Sequence, residues 1–184
     1  MLIARDKKEN NIAEYVLYIW QLEDLLRANG LDFDKVQANI VSKFNQDTET
    51  MKEISLWYEN FVAIMKSEKL EQAGHTQFIR NTVNDMFSFH LELLKRPEES
   101  KYRELYQIAA PDIANFQMKG KYFYENEIET MFSALYAVLL LKFKNKSITQ
   151  GTQAAVGSFS NLLSMLAYKY HKNETGNSEL ETDE

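Results

Sequence analysis

Glycine and proline are scarce in this chain, and their scarcity restricts the possible folds more than any other feature. The 184 residues include 6 glycines and 2 prolines. Folds with many strands need a turn about every ten residues, and such turns depend on these two residue types. Long helices need few turns, and a hydrophobic fraction of 45% is enough for a substantial core. The sequence therefore predicts an all-α fold.

Hydrophobic periodicity predicts about six to seven amphipathic helices, joined by short loops into an antiparallel bundle. At the start of the first predicted helix, Asn11 and Glu14 form a capping-box pattern. Gly74 and Gly120 are expected to end the third and fifth helices, and Pro111 is expected to kink or split the fifth. The later helices are expected at about residues 32–44, 48–73, 76–95, 98–119, 125–144 and 149–171.

Acidic charge is concentrated at the C terminus. Residues 173–184 contain five acids and no base, whereas the net charge of the whole chain is −6. We interpret this segment as a disordered acidic tail that follows a single domain, residues 1–172. The remaining, nearly neutral body lacks the basic face that nucleic-acid binding requires, so we expect no nucleic-acid partner. A helical DNA-binding regulator is the least favoured of the function classes.

The sequence also restricts the cellular compartment. There is no cysteine, which excludes disulfides and thiolate sites. The first residues, MLIARDKKENN, are charged from the fifth onward and lack the apolar stretch of a secretory signal. The longest apolar run, ALYAVLLL, is much shorter than the roughly 18–20 residues of a membrane span. We therefore expect a cytoplasmic protein with no membrane partner.

Glu23 is the polar residue that stands out most, because it falls on an apolar face. At about 100° per residue, it lies within the stripe formed by Val16, Ile19 and Leu26. A carboxylate in a core is costly unless it is paired or hydrogen-bonded. Three interpretations remain open: a structural ion pair or network with a Tyr, Lys or Arg of a neighbouring helix, a functional site, or a helix rolled so as to expose Glu23.

Two other groups of polar residues fall near apolar faces. Glu68, Gln72 and His75 lie near the predicted end of the third helix, and a capping, solvent-facing arrangement is the favoured interpretation. A single Glu with a single His is a weak pattern for a metal site. His90 lies on the inner face of the fourth helix, where a hydrogen-bonded core histidine is the favoured interpretation.

Three acids, Glu125, Glu127 and Glu129, begin the sixth predicted helix, where negative charge complements the helix dipole. The chain has no Glu-x-x-His motif of the kind that di-iron bundles need. It also has no glycine-rich phosphate loop, no Gly-x-Ser-x-Gly elbow and no His-Glu-x-x-His. The sequence therefore identifies no reaction and assigns no cofactor-binding or metal-binding residue; the cofactor stays unknown, and whether the protein is an enzyme stays open, with a non-enzyme favoured.

Three segments resemble a known family: NIAEYVLYIWQLEDLLRA, LWYENFV…GHTQ and NEIETMFSALYAVLLLK. The family is an all-helical domain of unknown function that is known mainly from Bacteroidetes. The resemblance covers residues 1 to about 172. It implies an all-helical, cytoplasmic bacterial protein, and it assigns neither an activity nor functional residues.

Two hypotheses for the function remain. The first is a non-enzymatic binding or assembly module that forms a homo-oligomer, most simply a homodimer, or binds a protein partner. It rests on the first and sixth predicted helices, which carry more apolar surface than one bundle core needs. The second is an enzyme, or a protein that binds a small ligand or a metal in a polar pocket. The pocket candidates are Trp20, Glu23, Glu68, His75, Glu127 and Glu129.

Overall fold

The computed structural model of the protein describes residues 2–119 and 124–176. These residues form eight α-helices and one short 3-10 helix, with no strand among them. The predicted all-α fold class is therefore confirmed. The helices are α1 (Leu2–Asn10), α2 (Ile12–Ala28), α3 (Phe33–Asn39), the 3-10 helix (Val41–Lys43), α4 (Thr48–Ser67), α5 (Gln77–Lys95), α6 (Ser100–Lys119), α7 (Glu127–Phe143) and α8 (Gln150–Glu174).

The chain divides into two compact units. The first comprises the described residues up to Lys8 together with Glu14–Asn81, and in it α4 packs against α3 and the 3-10 helix. The second comprises Glu9–Ala13 and the described residues from Thr82 onward, and in it α6, α7 and α8 all pack against one another. The expectation of a single domain over residues 1–172 stays a prediction.

Periodicity located the core of the first unit correctly. Val16, Ile19 and Leu26 of α2 are buried as predicted, because their spacing places them on one face of the helix.

The Asn11 side chain accepts a hydrogen bond from the backbone N–H of Ala13 at 3.1 Å, which confirms the predicted cap. By contrast, α1 was not predicted. Its sequence, LIARDKKEN, has no apolar stripe, and Ala4 is the buried residue among its described side chains.

The predicted end of the third helix is wrong. Helix α4 ends at Ser67, and Gly74 lies beyond its end. A Schellman motif stops the helix: Leu70 N–H donates to the Met65 carbonyl at 2.9 Å, and Lys69 adopts φ 58°. Glycine usually occupies this left-handed position, so a lysine there concealed the helix end from the sequence. Residues 68–76 consequently form a turn between α4 and α5.

Two further predictions concern Pro111 and the start of the acidic tail. Helix α6 continues through Pro111 without being split, and Gly120 lies outside the described residues. Helix α8 reaches Glu174, so the predicted tail begins with two helical residues, and residues 177–184 lie outside the described part. Helix α7 is buried most completely in its first half, whereas Ala137 and Leu141 of its second half are exposed.

None of the helices in the described part of the chain combines the length and the apolarity that crossing a membrane requires.

Two glycines are expected to respond in opposite ways to replacement by alanine. Gly157 lies inside α8 with open space around a new Cβ, so Gly157→Ala should stabilise the protein by about 0.5–1 kcal/mol. Gly74 has φ +95°, and its new Cβ would lie 3.0 Å from Leu70 Cδ2. Gly74→Ala should therefore destabilise it by about 1–3 kcal/mol. Urea denaturation measures both, and equal effects of the two variants would contradict this assignment of backbone strain.

Candidate functional site

The carboxylate of Glu23 is completely buried on α2 and accepts hydrogen bonds from two consecutive residues of the α4–α5 turn. Glu23 Oε1 accepts from the Thr76 N–H at 2.8 Å and from the Thr76 hydroxyl at 2.7 Å. Glu23 Oε2 lies 2.6 Å from His75 Nδ1. Both carboxylate oxygens are thus engaged, which offsets the cost of removing the charged group from water.

The imidazole of His75 contacts this carboxylate through Nδ1 and stacks on an indole with its face. Trp20, one turn before Glu23 on α2, stacks on the His75 ring with centroids 4.0 Å apart and an interplanar angle of 11°. The His75 side chain remains 25% exposed. Its Nε2 forms no hydrogen bond with the described residues. We call Trp20, Glu23, His75 and Thr76 the Glu23 site.

A third residue on the same face of α2, Arg27, also binds this turn. Arg27 donates to the Gly74 carbonyl at 2.9 Å and forms a 2.8 Å ion pair with Asp24. Trp20, Glu23 and Arg27 follow the i, i+3, i+7 spacing of one helix face. One face of α2 therefore fixes the turn that leads into α5.

Two glutamates cap the N terminus of α5 from outside the helix. The N–H of Thr76 donates to Glu23, and the N–H of Gln77 donates to Glu68 Oε2 at 2.7 Å. The first N–H groups of a helix lack partners within it, and negative charge is favourable there. A threonine in this position usually caps with its own oxygen. Here the Thr76 hydroxyl donates to Glu23, so the carboxylates take over the capping.

A carboxylate bound to one ring nitrogen of a histidine is an arrangement that enzymes also use. If Nδ1 donates to Glu23, Nε2 carries the free lone pair and can accept a proton or bind a ligand. Nucleophilic catalysis would also require a hydroxyl or thiol bonded to Nε2, and His75 has no such neighbour among the described residues. The same residues contain no group of three or more His, Cys, Asp or Glu side chains that could hold a metal ion.

A second polar network lies in the second unit and centres on His90, which is completely buried on α5. His90 Nδ1 lies 2.6 Å from the Tyr102 hydroxyl, and His90 Nε2 lies 3.6 Å from Glu127 Oε2. The Tyr106 hydroxyl donates to Glu127 Oε1 at 3.0 Å. We call these four residues the His90 network; they connect α5, α6 and α7.

Electrostatics fix the roles of these groups. The proximity of His90, at 3.6 Å and beyond hydrogen-bond distance, is the main cause that lowers the pKa of Glu127, and the hydrogen bond from the Tyr106 hydroxyl adds to it. Burial raises the pKa of Tyr102, and the charges of Glu99 and Glu127 raise it further. Tyr102 is therefore neutral and can donate its proton to Nδ1. This favours the His90 tautomer with the proton on Nε2, facing the carboxylate.

The structure places the predicted site residues in separate networks. It brings Trp20, Glu23 and His75 together, and it puts Glu68 on the next backbone N–H of the turn. Glu127 belongs to the His90 network. Glu129 instead accepts a hydrogen bond from the Glu125 N–H at 2.6 Å, which fits the predicted role of acids at a helix start.

Sequence reasoning missed three members of these sites: Thr76, Tyr102 and Tyr106. Thr76 carried one available signal, since threonine commonly precedes the first residue of a helix. Tyr102 and Tyr106 are spaced i, i+4 and so share a face of α6. Nothing in the sequence shows, however, that this face meets His90 of another helix.

Replacing Glu23 tests how much its hydrogen bonds contribute to the free energy of unfolding. Glu23→Leu should destabilise the protein by about 3 kcal/mol, because buried donors of Thr76 lose their acceptor. Glu23→Gln retains one oxygen acceptor and should cost about 1–2 kcal/mol. Chemical denaturation at neutral pH measures both. Glu59→Gln, at an exposed position on α4, is the control and should be nearly neutral. A neutral or stabilising Glu23→Leu would show that the buried carboxylate costs the fold stability.

The lowered pKa of Glu127 predicts a pH-dependent contribution to stability. The unperturbed pKa is 4.5 and the folded value lies below it, so the contribution is complete above pH 4.5. It is lost as the pH falls through the folded pKa. The difference in unfolding free energy between wild type and Glu127→Gln should therefore shrink from pH 6 to about pH 3. Glu104→Gln, at an exposed position on α6, is the control. A difference that stays constant or grows toward acid pH would contradict the assignment.

Comparison with known proteins identifies the family. The model of the family described as "Domain of unknown function (DUF4924)" matches residues 1–177. No curated protein and no solved structure matches the chain. The three segments that carry the resemblance all lie within the matched range, so the resemblance to a family of unknown function is confirmed, whereas a bacterial origin stays an expectation. The chain belongs to the DUF4924 family, a domain of unknown function.

Proposed function

We propose that the protein is a non-enzymatic assembly module that forms a homodimer through an apolar groove of its second unit. The groove lies between α6, α7 and the first turns of α8 and has a volume of about 470 Å³. Small side chains line it, namely Ala134, Ala137, Gly151 and Ala155. Small residues allow the close approach of another helix or the entry of a large side chain.

The observation that carries this proposal is the apolar surface beside the groove. Leu141, which lines the groove, is 39% exposed, and Phe143 at the end of α7 is 66% exposed. On α6, Met118 is 77% exposed, next to the lining residue Lys119. Single exposed apolar residues are ordinary, but an apolar groove whose helices also carry exposed apolar side chains fits an interaction site.

Shape and charge favour a second copy of the chain as the occupant. In a two-fold dimer each copy presents the same patch, so a patch with both a groove and protruding side chains can complement itself. The groove is also lined by one acid, Asp112, and one base, Lys119, on α6. Neither forms an ion pair within the described residues. An antiparallel arrangement of two α6 helices places Asp112 of each copy opposite Lys119 of the other.

The cellular setting of this proposal follows from the sequence. We infer that the protein is cytoplasmic. We also infer that it has no nucleic-acid partner, since the chain is nearly neutral apart from its acidic C terminus. A heterologous protein partner on the same groove is the closest variant of the proposal. It differs in that the chain by itself would remain a monomer.

The alternative is an enzyme or a small-ligand or metal-binding protein with one polar pocket. The orientation of His75 by Glu23, with Nε2 free, is the observation that favours it. Against it, Glu68 and Glu129 are both engaged in capping backbone N–H groups, at 2.7 Å and 2.6 Å. Acids that serve helix ends in this way have a sufficient structural role, and the assembly module is therefore the better supported proposal.

Disrupting the groove should abolish assembly. Ala137 is exposed on α7 and lines the groove, so Ala137→Arg fills it with a charged side chain. We expect the dimer dissociation constant to rise at least about tenfold, because the cation would have to be buried without a partner. Sedimentation velocity over a concentration series measures this.

Ala63→Arg is the matched control, since Ala63 is an exposed helical alanine of the first unit. It should assemble as wild type does. A wild-type protein that stays monomeric at the highest concentration, or an Ala137→Arg variant that dimerises normally, would contradict the proposal.

A further inference from the structure

The first unit contains a cleft with four aromatic residues in its walls. The cleft has a volume of about 420 Å³, within the range of small-ligand sites. Its apolar walls come from α2, α4 and α5 and include Ile19, Trp57, Phe61 and Phe78. Trp57 and Phe61 meet edge to face, with centroids 5.4 Å apart. Walls of this kind suit a flat apolar molecule, because aromatic rings stack or meet edge to face at low cost.

One polar group in this wall lacks a partner. Tyr15 is 8% exposed and lines the cleft. Its hydroxyl forms no hydrogen bond with any described residue. Although the residue is mostly buried, the hydroxyl itself is accessible, so it can hydrogen-bond water or a ligand without losing an internal partner. Burial, and then the charge of Glu23, raises the pKa of Tyr15, so the hydroxyl keeps its proton and can donate it.

The rim of the cleft is positively charged. Arg5 and Lys8 of α1 line it, and no acid does. Lys8 Nζ lies 6.0 Å from the centroid of the Tyr15 ring and pairs with no acid among the described residues. The preceding residue, Lys7, is instead paired with Glu14 at 2.8 Å and does not line the cleft. An anion at the rim would meet Lys8 and the Tyr15 hydroxyl together.

From these three observations we infer that the cleft binds a small aromatic carboxylate. The ring lies against Trp57 and Phe61, and the carboxylate accepts a hydrogen bond from the Tyr15 hydroxyl and pairs with Lys8. The cleft lies entirely within the first unit, so this site is independent of the groove proposed for assembly.

Isothermal titration calorimetry on the full chain tests the inference with two probes of nearly the same shape. 1-Naphthoate carries the carboxylate, and 1-naphthamide is its neutral counterpart. We expect 1-naphthoate to bind and 1-naphthamide to bind at least about fivefold more weakly, because the amide cannot pair with the cation. Failure of 1-naphthoate to bind, or equal affinity for both probes, would overturn the inference.

Three variants locate the site. Tyr15→Phe removes one oxygen and keeps the ring, and Lys8→Gln removes the charge; each should weaken 1-naphthoate binding about fivefold. The binding of 1-naphthamide should change less with Lys8→Gln. Lys7→Gln should leave both affinities unchanged. Thermal unfolding confirms that each variant is folded. Unchanged 1-naphthoate affinity in Tyr15→Phe and Lys8→Gln would place binding elsewhere and overturn the proposed site.

Discussion

The buried carboxylate of Glu23 is the interaction on which the first unit depends. A charge removed from water is tolerated only when its oxygens are hydrogen-bonded, and these donors come from the turn between α4 and α5. Because Thr76 directly precedes α5, the same bonds fix where that helix begins. The position of α5 in turn decides that Ile79 points into the core and that Phe78 lines the cleft.

The fold class could be predicted because it depends on local patterns. Apolar residues at helical spacing identified seven of the helices, and the cap at Asn11 could be read directly. Helix ends were less predictable where an unusual residue took a glycine's place. Lys69 adopts the left-handed conformation at the end of α4, where glycine is usual. A lysine in this position gives no local sequence signal that a helix ends there.

Only half of the candidate site could be predicted: the buried carboxylate, but not its partners. The apolar neighbours of Glu23 on its own helix revealed that the carboxylate needs partners, since burial follows from periodicity. The partners expected were Tyr, Lys or Arg, and those found are His75 and Thr76, 52 and 53 residues away. The same limit applies to His90, whose burial was predicted and whose bond to Tyr102 was not. Periodicity specifies which face is buried, and it contains no information about which helix covers that face.

Function depends most directly on which polar groups and apolar surfaces have partners within the chain and which do not. Glu23 and Glu68 carried the first expectation of chemistry, and both are engaged in holding a turn and capping a helix. Three features lack internal partners: Nε2 of the His75 ring, the Tyr15 hydroxyl of the aromatic cleft, and the groove beside Leu141. A folded chain satisfies its own polar groups and covers its apolar surface wherever it can. The open cleft and the groove are therefore the surfaces proposed here for ligand binding and for assembly.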